Sequence, residues 1–230
     1  MENWRRFLKE SQQLNRDDMR LLYVDKSDGD GKAFNIVLYV EDINSGGDNP
    51  FKIIGGIDCM ETEEPCIPKT MMVGSVYRNS EFAGQRLGDL LYDCGFYVAQ
   101  SLGFGLTSDK ETGTKPGASK HWKRFETNPE YAKKATAAGN NEFDYDGSTQ
   151  DPDDDCNMPD DAPSNATDHS FLKKNPDDIE PVFIKMEQNH LDYLDDLKFN
   201  QGYTDDQITE LIEAIKLESA YLFADEYDNA

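Results

Sequence analysis

Basic residues are the scarce class of charge in this chain. Twenty-three Lys and Arg face 46 Asp and Glu among 230 residues, for a formal net charge of −23 at pH 7. Binding to a phosphate backbone needs Lys and Arg to release counterions, so direct nucleic-acid binding is not expected. Docking on an anionic membrane is disfavoured on the same ground. Cysteines number only 4, at 59, 66, 94 and 156, and no two form a CxxC. A chain this long buries a core without covalent staples, so these are expected to be free thiols, as in a reducing cytosol. Long apolar runs are missing and the longest are strand-sized, which predicts no membrane span. Residues 1–7, Met-Glu-Asn-Trp-Arg-Arg-Phe, lack the apolar core of a secretory leader, so a cytoplasmic protein is expected. Glycine, at 17, is far too sparse for a collagen-like repeat, whereas 11% aromatic content supplies core material.

The acid that is present is unevenly spread. Residues 1–150 hold 24 acids and 18 bases, whereas 151–230 hold 22 acids and 5 bases, a net of −17. The boundary lies in 141–167, rich in Asp, Asn, Pro, Gly and Ser, and 141–180 is read as an acidic irregular loop. Ahead of it, 2–13 reads as a short amphipathic helix carrying Trp4, Phe7 and Leu8, within an N-terminal segment 1–17. Four strands follow. They are read at Leu21-Leu22-Tyr23-Val24, at Phe34 to Val40, at Phe51 to Asp58 and at Thr70 to Tyr77, spaced as a meander. Gly74, inside the fourth, marks a bulge or a close backbone approach.

The period then changes. From Gly84 onward Leu87, Leu91, Cys94, Val98 and Leu102 recur at helical spacing, and Gly103 is a natural C-terminal stop. Phe104 to Ser108 is a short strand, and Pro116 opens a second helix carrying Ala118, Trp122 and Phe125. A strand, a crossover helix and another strand imply locally parallel pairing. The fold class is therefore α/β of the α+β type: a mixed, mostly antiparallel twisted sheet flanked by helices. In 181–230, Pro181-Val182-Phe183-Ile184-Lys185-Met186 reads as a strand that completes the sheet. Leu191, Leu194 and Leu197 form a helical stripe, as do Ile208, Leu211, Ile212 and Ile215. The two make a C-terminal hairpin that packs on its neighbours or forms a homo-oligomer face.

The chemistry concentrates at 77–92, where a strand runs through a glycine-bearing turn into a helix. Free N–H groups of a first helical turn and the helix dipole favour an anion. Residues 78–134 also carry nine bases, Arg78 and Arg86 among them, against seven acids, an island of net positive charge in an acidic chain. That suits a phosphate-bearing small cofactor. Two glycines four apart are equally compatible with a plain packing loop.

The segment Phe82-Ala83-Gly84-Gln85-Arg86-Leu87-Gly88-Asp89-Leu90-Leu91-Tyr92 resembles the acetyl-CoA-binding motif of the GCN5-related N-acetyltransferases, Arg/Gln-x-x-Gly-x-Gly/Ala followed by leucines. Gly84 and Gly88 match. Ala83 stands where Arg or Gln is usual, and Arg86 where a small residue is usual. The likeness covers about 70–130 of this sequence and implies a GNAT-like acyl-CoA-binding domain at 18–140. It implies acetyl-CoA as co-substrate, held by Val73, Gly74, Ser75 and Val76 of the splayed fourth strand and by Gly84, Gln85, Arg86, Leu87 and Gly88. The implied reaction moves an acetyl group to an amine of an unknown acceptor, and the acidic surface favours a basic one. Asp58, Glu61 and Glu63, just after the third strand, are the candidate bases. Trp122 takes the position of the usual tyrosine general acid, and indole is a very weak acid. A catalytically inactive acidic binding or inhibitor protein of the same fold is the alternative. Residues 1–10 also resemble the N-termini of tailed-phage proteins, which implies a phage accessory or structural role.

Metal sites are not expected. Asp28, Asp30 and Gly31 echo a calcium loop, but that register puts Lys26 and Val37 where its first and last carboxylates belong. Asp151, Asp153, Asp154 and Asp155 lack the glycine and terminal glutamate of such a loop. His121, His169 and His190 are too scattered to suggest zinc.

Overall fold

The computed structural model describes residues 14–28, 31–42, 50–61, 69–109, 116–135 and 169–228. Seven strands form one sheet: β1 (Arg20–Asp25), β2 (Ala33–Glu41), β3 (Phe51–Glu61), β4 (Thr70–Arg78), β5 (Gly105–Ser108), β6 (Tyr131–Ala135) and β7 (His169–Lys173). Four helices pack with it: α1 (Leu87–Ser101), α2 (Pro116–Thr127), α3 (Glu180–Phe199) and α4 (Asp205–Asp228). The spatial order is β1-β2-β3-β4-β5-β7-β6. Every pairing is antiparallel except β4 with β5, which α1 joins as a crossover.

β2 explains why helices cover the sheet on two sides. Phe34, Ile36 and Leu38 belong to one buried cluster, and Val37 and Tyr39 to another. Alternate residues of a strand point to opposite faces, so both faces of β2 are apolar and both need cover. The first cluster takes Leu87, Leu91, Cys94 and Val98 of α1 and Trp122 and Phe125 of α2. The second takes Tyr193 and Leu197 of α3 with Leu211 and Ile215 of α4. Gly103 (φ +88°) ends α1 in the left-handed conformation that a C-terminal stop requires.

Two expectations need correction. Residues 181–186 are no strand; they are the first turns of α3. Pro181 sits in the first turn, where its missing N–H costs nothing, and Phe183, Met186, His190, Tyr193 and Leu197 are buried at helical spacing. Six apolar-rich residues are too few to show that period. Nor is 141–180 irregular throughout, because β7 occupies His169–Lys173 and a 3₁₀ turn occupies Pro176–Ile179. The helix read at 2–13 lies outside the described residues, and Arg16–Asp18 form a single 3₁₀ turn.

Candidate functional site

Gly74 is a bulge. Across β3 and β4, Asp58 pairs with Ser75 and Cys59 with Val73, so Gly74 is the extra residue with no partner on β3. On its other side β4 pairs with β5 only from Thr70↔Gly105 to Val73↔Ser108. Beyond Val73 the pairing stops because β5 ends at Ser108, and Gly74, Ser75 and Val76 continue β4 past that end. Among the described residues, nothing pairs with that edge of β4.

The end of β4 leads into the turn that starts α1. Asn79 pins it to β3, its N–H donating to the Ile54 carbonyl at 3.0 Å and its side-chain amide to the Ile53 carbonyl at 3.3 Å. Gly84 has φ +87° with open space where a Cβ would project. Arg86 is left-handed too, at φ 57°, and supplies no side-chain cap to the first turn of α1. Arg86 thus holds a glycine-like backbone. Its side chain turns back to Asp89, with Nε 2.8 Å from Oδ2. Arg124 of α2 binds the other oxygen of Asp89 at 2.6 Å, and His121 Nδ1 lies 3.3 Å from it. Burial works against the charge on Asp89, but the hydrogen bonds from Arg86 and Arg124 outweigh it and hold the carboxyl below its usual pKa. Burial depresses the pKa of His121.

Gly88 does not border open space. A Cβ there would sit 3.1 Å from His121 Nε2 and 3.3 Å from Arg78 Cδ. Arg78 Nη2 would in turn be 3.6 Å from a Cβ on Gly117, in the first turn of α2. Arg78 therefore lies between the N-terminal turns of two helices, and it forms no ion pair among the described residues. An uncapped helix start, two left-handed residues and an arginine can together hold a polyanion. Leu87 is core, and Gln85 accepts a hydrogen bond from the Leu14 N–H at 2.9 Å.

The candidate bases separate. Asp58 is 5% exposed, and burial raises its pKa against a weaker opposing pull from Lys26, whose Nζ lies 3.6 Å from Oδ1. Glu61 accepts from the Lys32 N–H at 3.0 Å and so belongs to the hairpin end of the sheet. Glu63 lies outside the described residues. Trp122 packs among Tyr92, Phe125 and Phe171 in the aromatic core. Sequence reasoning named Ser75 as part of the fourth strand and Arg78 for its charge, but missed Asn35 opposite Asp58 and the buried Ser75 hydroxyl. The place of Ser75 depends on the β3–β4 register that the Gly74 bulge shifts by one residue, and that of Asn35 on the β2–β3 register; the sequence carries no sign of either beyond the glycine.

Cys59 and Cys94 are free and buried, and burial pushes both thiols up, so both are inert. Cys66 and Cys156 lie outside the described residues. Among the described residues no three His, Cys, Asp or Glu side chains are grouped to hold a metal, and no helix is long and apolar enough to cross a membrane. Asp28 bridges to Gly31, while 29–30 and 151–155 lie outside the described residues. No family model matches the chain, and neither a curated protein nor a solved structure matches it.

Proposed function

We propose that the chain is an acetyl-CoA-dependent acyltransferase of the GCN5-related type, acting on an amine. One observation carries the reading: β4 bulges at Gly74 where its pairing with β5 ends, and the same strand runs on into an uncapped helix start flanked by left-handed Gly84 and Arg86. The unpaired edge of β4 beyond Val73 offers backbone groups to the amide-bearing arm of the cofactor. The helix start and Arg78 meet its pyrophosphate.

Catalysis in this reading is mostly positioning. Holding an amine against a fixed thioester replaces a bimolecular encounter. Backbone N–H groups along that edge stabilise the oxygen that gains charge. The departing thiol ionises near pH 8.5, so its thiolate leaves without a strong acid, and Trp122 can remain a core residue. Asp58, buried beside the bulge, is the base best placed to take the amine proton.

Calorimetric titration with acetyl-CoA tests the reading. Arg78→Glu, at an exposed position, is expected to weaken binding at least about tenfold, the scale of one lost charge-assisted hydrogen bond. Release of free thiol from acetyl-CoA across a panel of amines tests the chemistry. No binding by the unaltered chain sinks the proposal. The burial of Trp122 in the aromatic core favours a second reading, a non-catalytic acyl-CoA binder with an acidic face for basic partners. Tight binding with no thiol release to any amine is its expected signature.

A further inference from the structure

Asn35, Asp58 and Ser75 stand in one row across β2, β3 and β4, since Asp58 is the register partner of both others. All three are buried, at 6%, 5% and 6% exposure. The neighbouring row on the same face, Val37, Gly56 and Tyr77, is largely apolar and lies under α4, where Phe223 approaches Gly56. A polar row next to an apolar one inside a sheet costs free energy unless its groups are paired. Two of the three are accounted for. With its amide nitrogen toward β3, Asn35 donates to Asp58 Oδ1, and Lys26 Nζ lies on the same oxygen. Ser75 is not: its hydroxyl oxygen is buried and has no hydrogen-bond partner among the described residues. A hydroxyl left so costs about 1–3 kcal/mol, and a group that arrives and pairs with it removes that cost.

Lys26 is the informative member. It follows β1 at the start of the hairpin, where its N–H is fixed to the Ala33 carbonyl at 2.8 Å. Its side chain, about half exposed, crosses β2 to bring an ammonium to the buried carboxylate on β3. An acceptor amine would have to occupy that same place, beside Asp58 and one residue from the bulge. We propose that Lys26 is itself an acceptor: the resident amine of the Asn35–Asp58–Ser75 row, acetylated by the chain's own transfer reaction. This rests on the acetyl-CoA reading above and deepens it by naming an acceptor.

The step balances without a further reagent. Asp58 takes one proton from the Lys26 ammonium. The freed lone pair attacks the thioester carbonyl carbon, and an N–C bond forms. The C–S bond breaks, and its electron pair leaves on sulfur as the CoA thiolate. The thiolate takes the surplus proton of the new amide nitrogen, and Asp58 returns its own to solvent. Acetylation removes the charge of Lys26 and its ion pair with Asp58, which frees the row for an external amine.

The experiment is a time course of the full chain with acetyl-CoA, followed by peptide mass mapping. Lys32 is the internal reference, an exposed lysine of the same hairpin with no contact to Asp58. Lys26 is expected to acquire an acetyl group about a hundredfold faster than Lys32, the usual scale of general-base assistance. Asp58→Asn is expected to erase the preference. Equal labelling of the two lysines, which is what unassisted acetylation gives, overturns the inference in the unaltered protein and needs no variant. A preference that persists in a folded Asp58→Asn protein also overturns it. Acetyl-CoA binding and thiol release to added amines without any preference for Lys26 removes this inference alone. Absence of acetyl-CoA binding removes the acyltransferase reading with it.

Discussion

Arg86 holds a backbone angle that glycine adopts freely and other residues adopt at a cost of about 1 kcal/mol. Its φ of 57° sits directly before α1, and its side chain compensates only through an exposed ion pair to Asp89. Such a pair contributes at most about 1 kcal/mol. The usual helix ranking, with Ala above Gly, should therefore invert here. Arg86→Gly is expected to be more stable than Arg86→Ala by about 1 kcal/mol, because Gly relieves the strain that Ala keeps. Urea midpoints of the two variants decide it, and a more stable Ala variant contradicts the left-handed assignment. The identity of the residue misleads at this position: an arginine gives no sign of a left-handed backbone, yet the fold imposes the glycine conformation on it. Gly74 was legible for the opposite reason, since a glycine inside a strand marks a bulge or a close backbone approach, and the register shows the bulge. The unpartnered Ser75 hydroxyl and the seat of Arg78 between two helix starts were not, because they arise from what lies across a strand or a helix.

At the scale of elements, legibility followed the length of the pattern. The stripe of α1 spans four turns and leaves no ambiguity. The start of α3 looked like a strand because Val182, Phe183 and Ile184 are adjacent apolar residues. Only Phe183 of these is buried, and Ile184 is among the exposed residues. β6 and β7 were missed because Tyr131-Ala132-Lys133-Lys134-Ala135 is too polar to signal a strand and His169–Lys173 adjoins an acidic, loop-like run. The docking of α4 has one point of tight fit. A Cβ on Gly56 would meet Phe223 at 2.7 Å and the Ile36 carbonyl at 3.1 Å. Gly56→Ala is expected to destabilise the fold by about 1–3 kcal/mol, as overpacking does, and Phe223→Ala by about 3 kcal/mol. The double variant should cost at least about 1 kcal/mol less than the sum, since truncating the ring opens the space the methyl needs. Additive effects in denaturant unfolding would mean that α4 does not seat there.

For the whole molecule, the two-sided sheet decides what the C-terminal region does. Leu197, Leu211 and Ile215, legible only as helical stripes, cover the second face of β2 and β3 and so belong to the core of the domain. Besides the Asn35–Asp58–Ser75 row, that face carries a polar contact under α3. The Tyr39 hydroxyl hydrogen-bonds His190 Nδ1, tying α3 to β2. Arg20 of β1 stacks on Tyr193 at 4.3 Å beside them and pairs with Glu41. Burial, reinforced by the Arg20 charge, pushes the His190 pKa down to about 4. The unfolded chain, with an ordinary value near 6.5, binds this proton more readily than the folded one does. Stability from the neutral histidine is therefore fully present above about pH 6.5 and is lost as pH falls toward 4. At pH 5 the loss relative to pH 7 is at most about 2 kcal/mol, less to the extent that solvent reaches the ring. Other carboxylates titrate in the same range, and the protonation of an acidic surface shifts stability on its own account. His190→Gln cancels that background, because its amide oxygen can still accept from Tyr39 while carrying no titration. The expected result is a stability gap between the unaltered chain and His190→Gln that moves toward the variant by about 1–2 kcal/mol between pH 7 and pH 5, read from urea unfolding at each pH. A gap that stays constant would mean that His190 titrates alike in both states, and α3 would then not be sealed against the sheet.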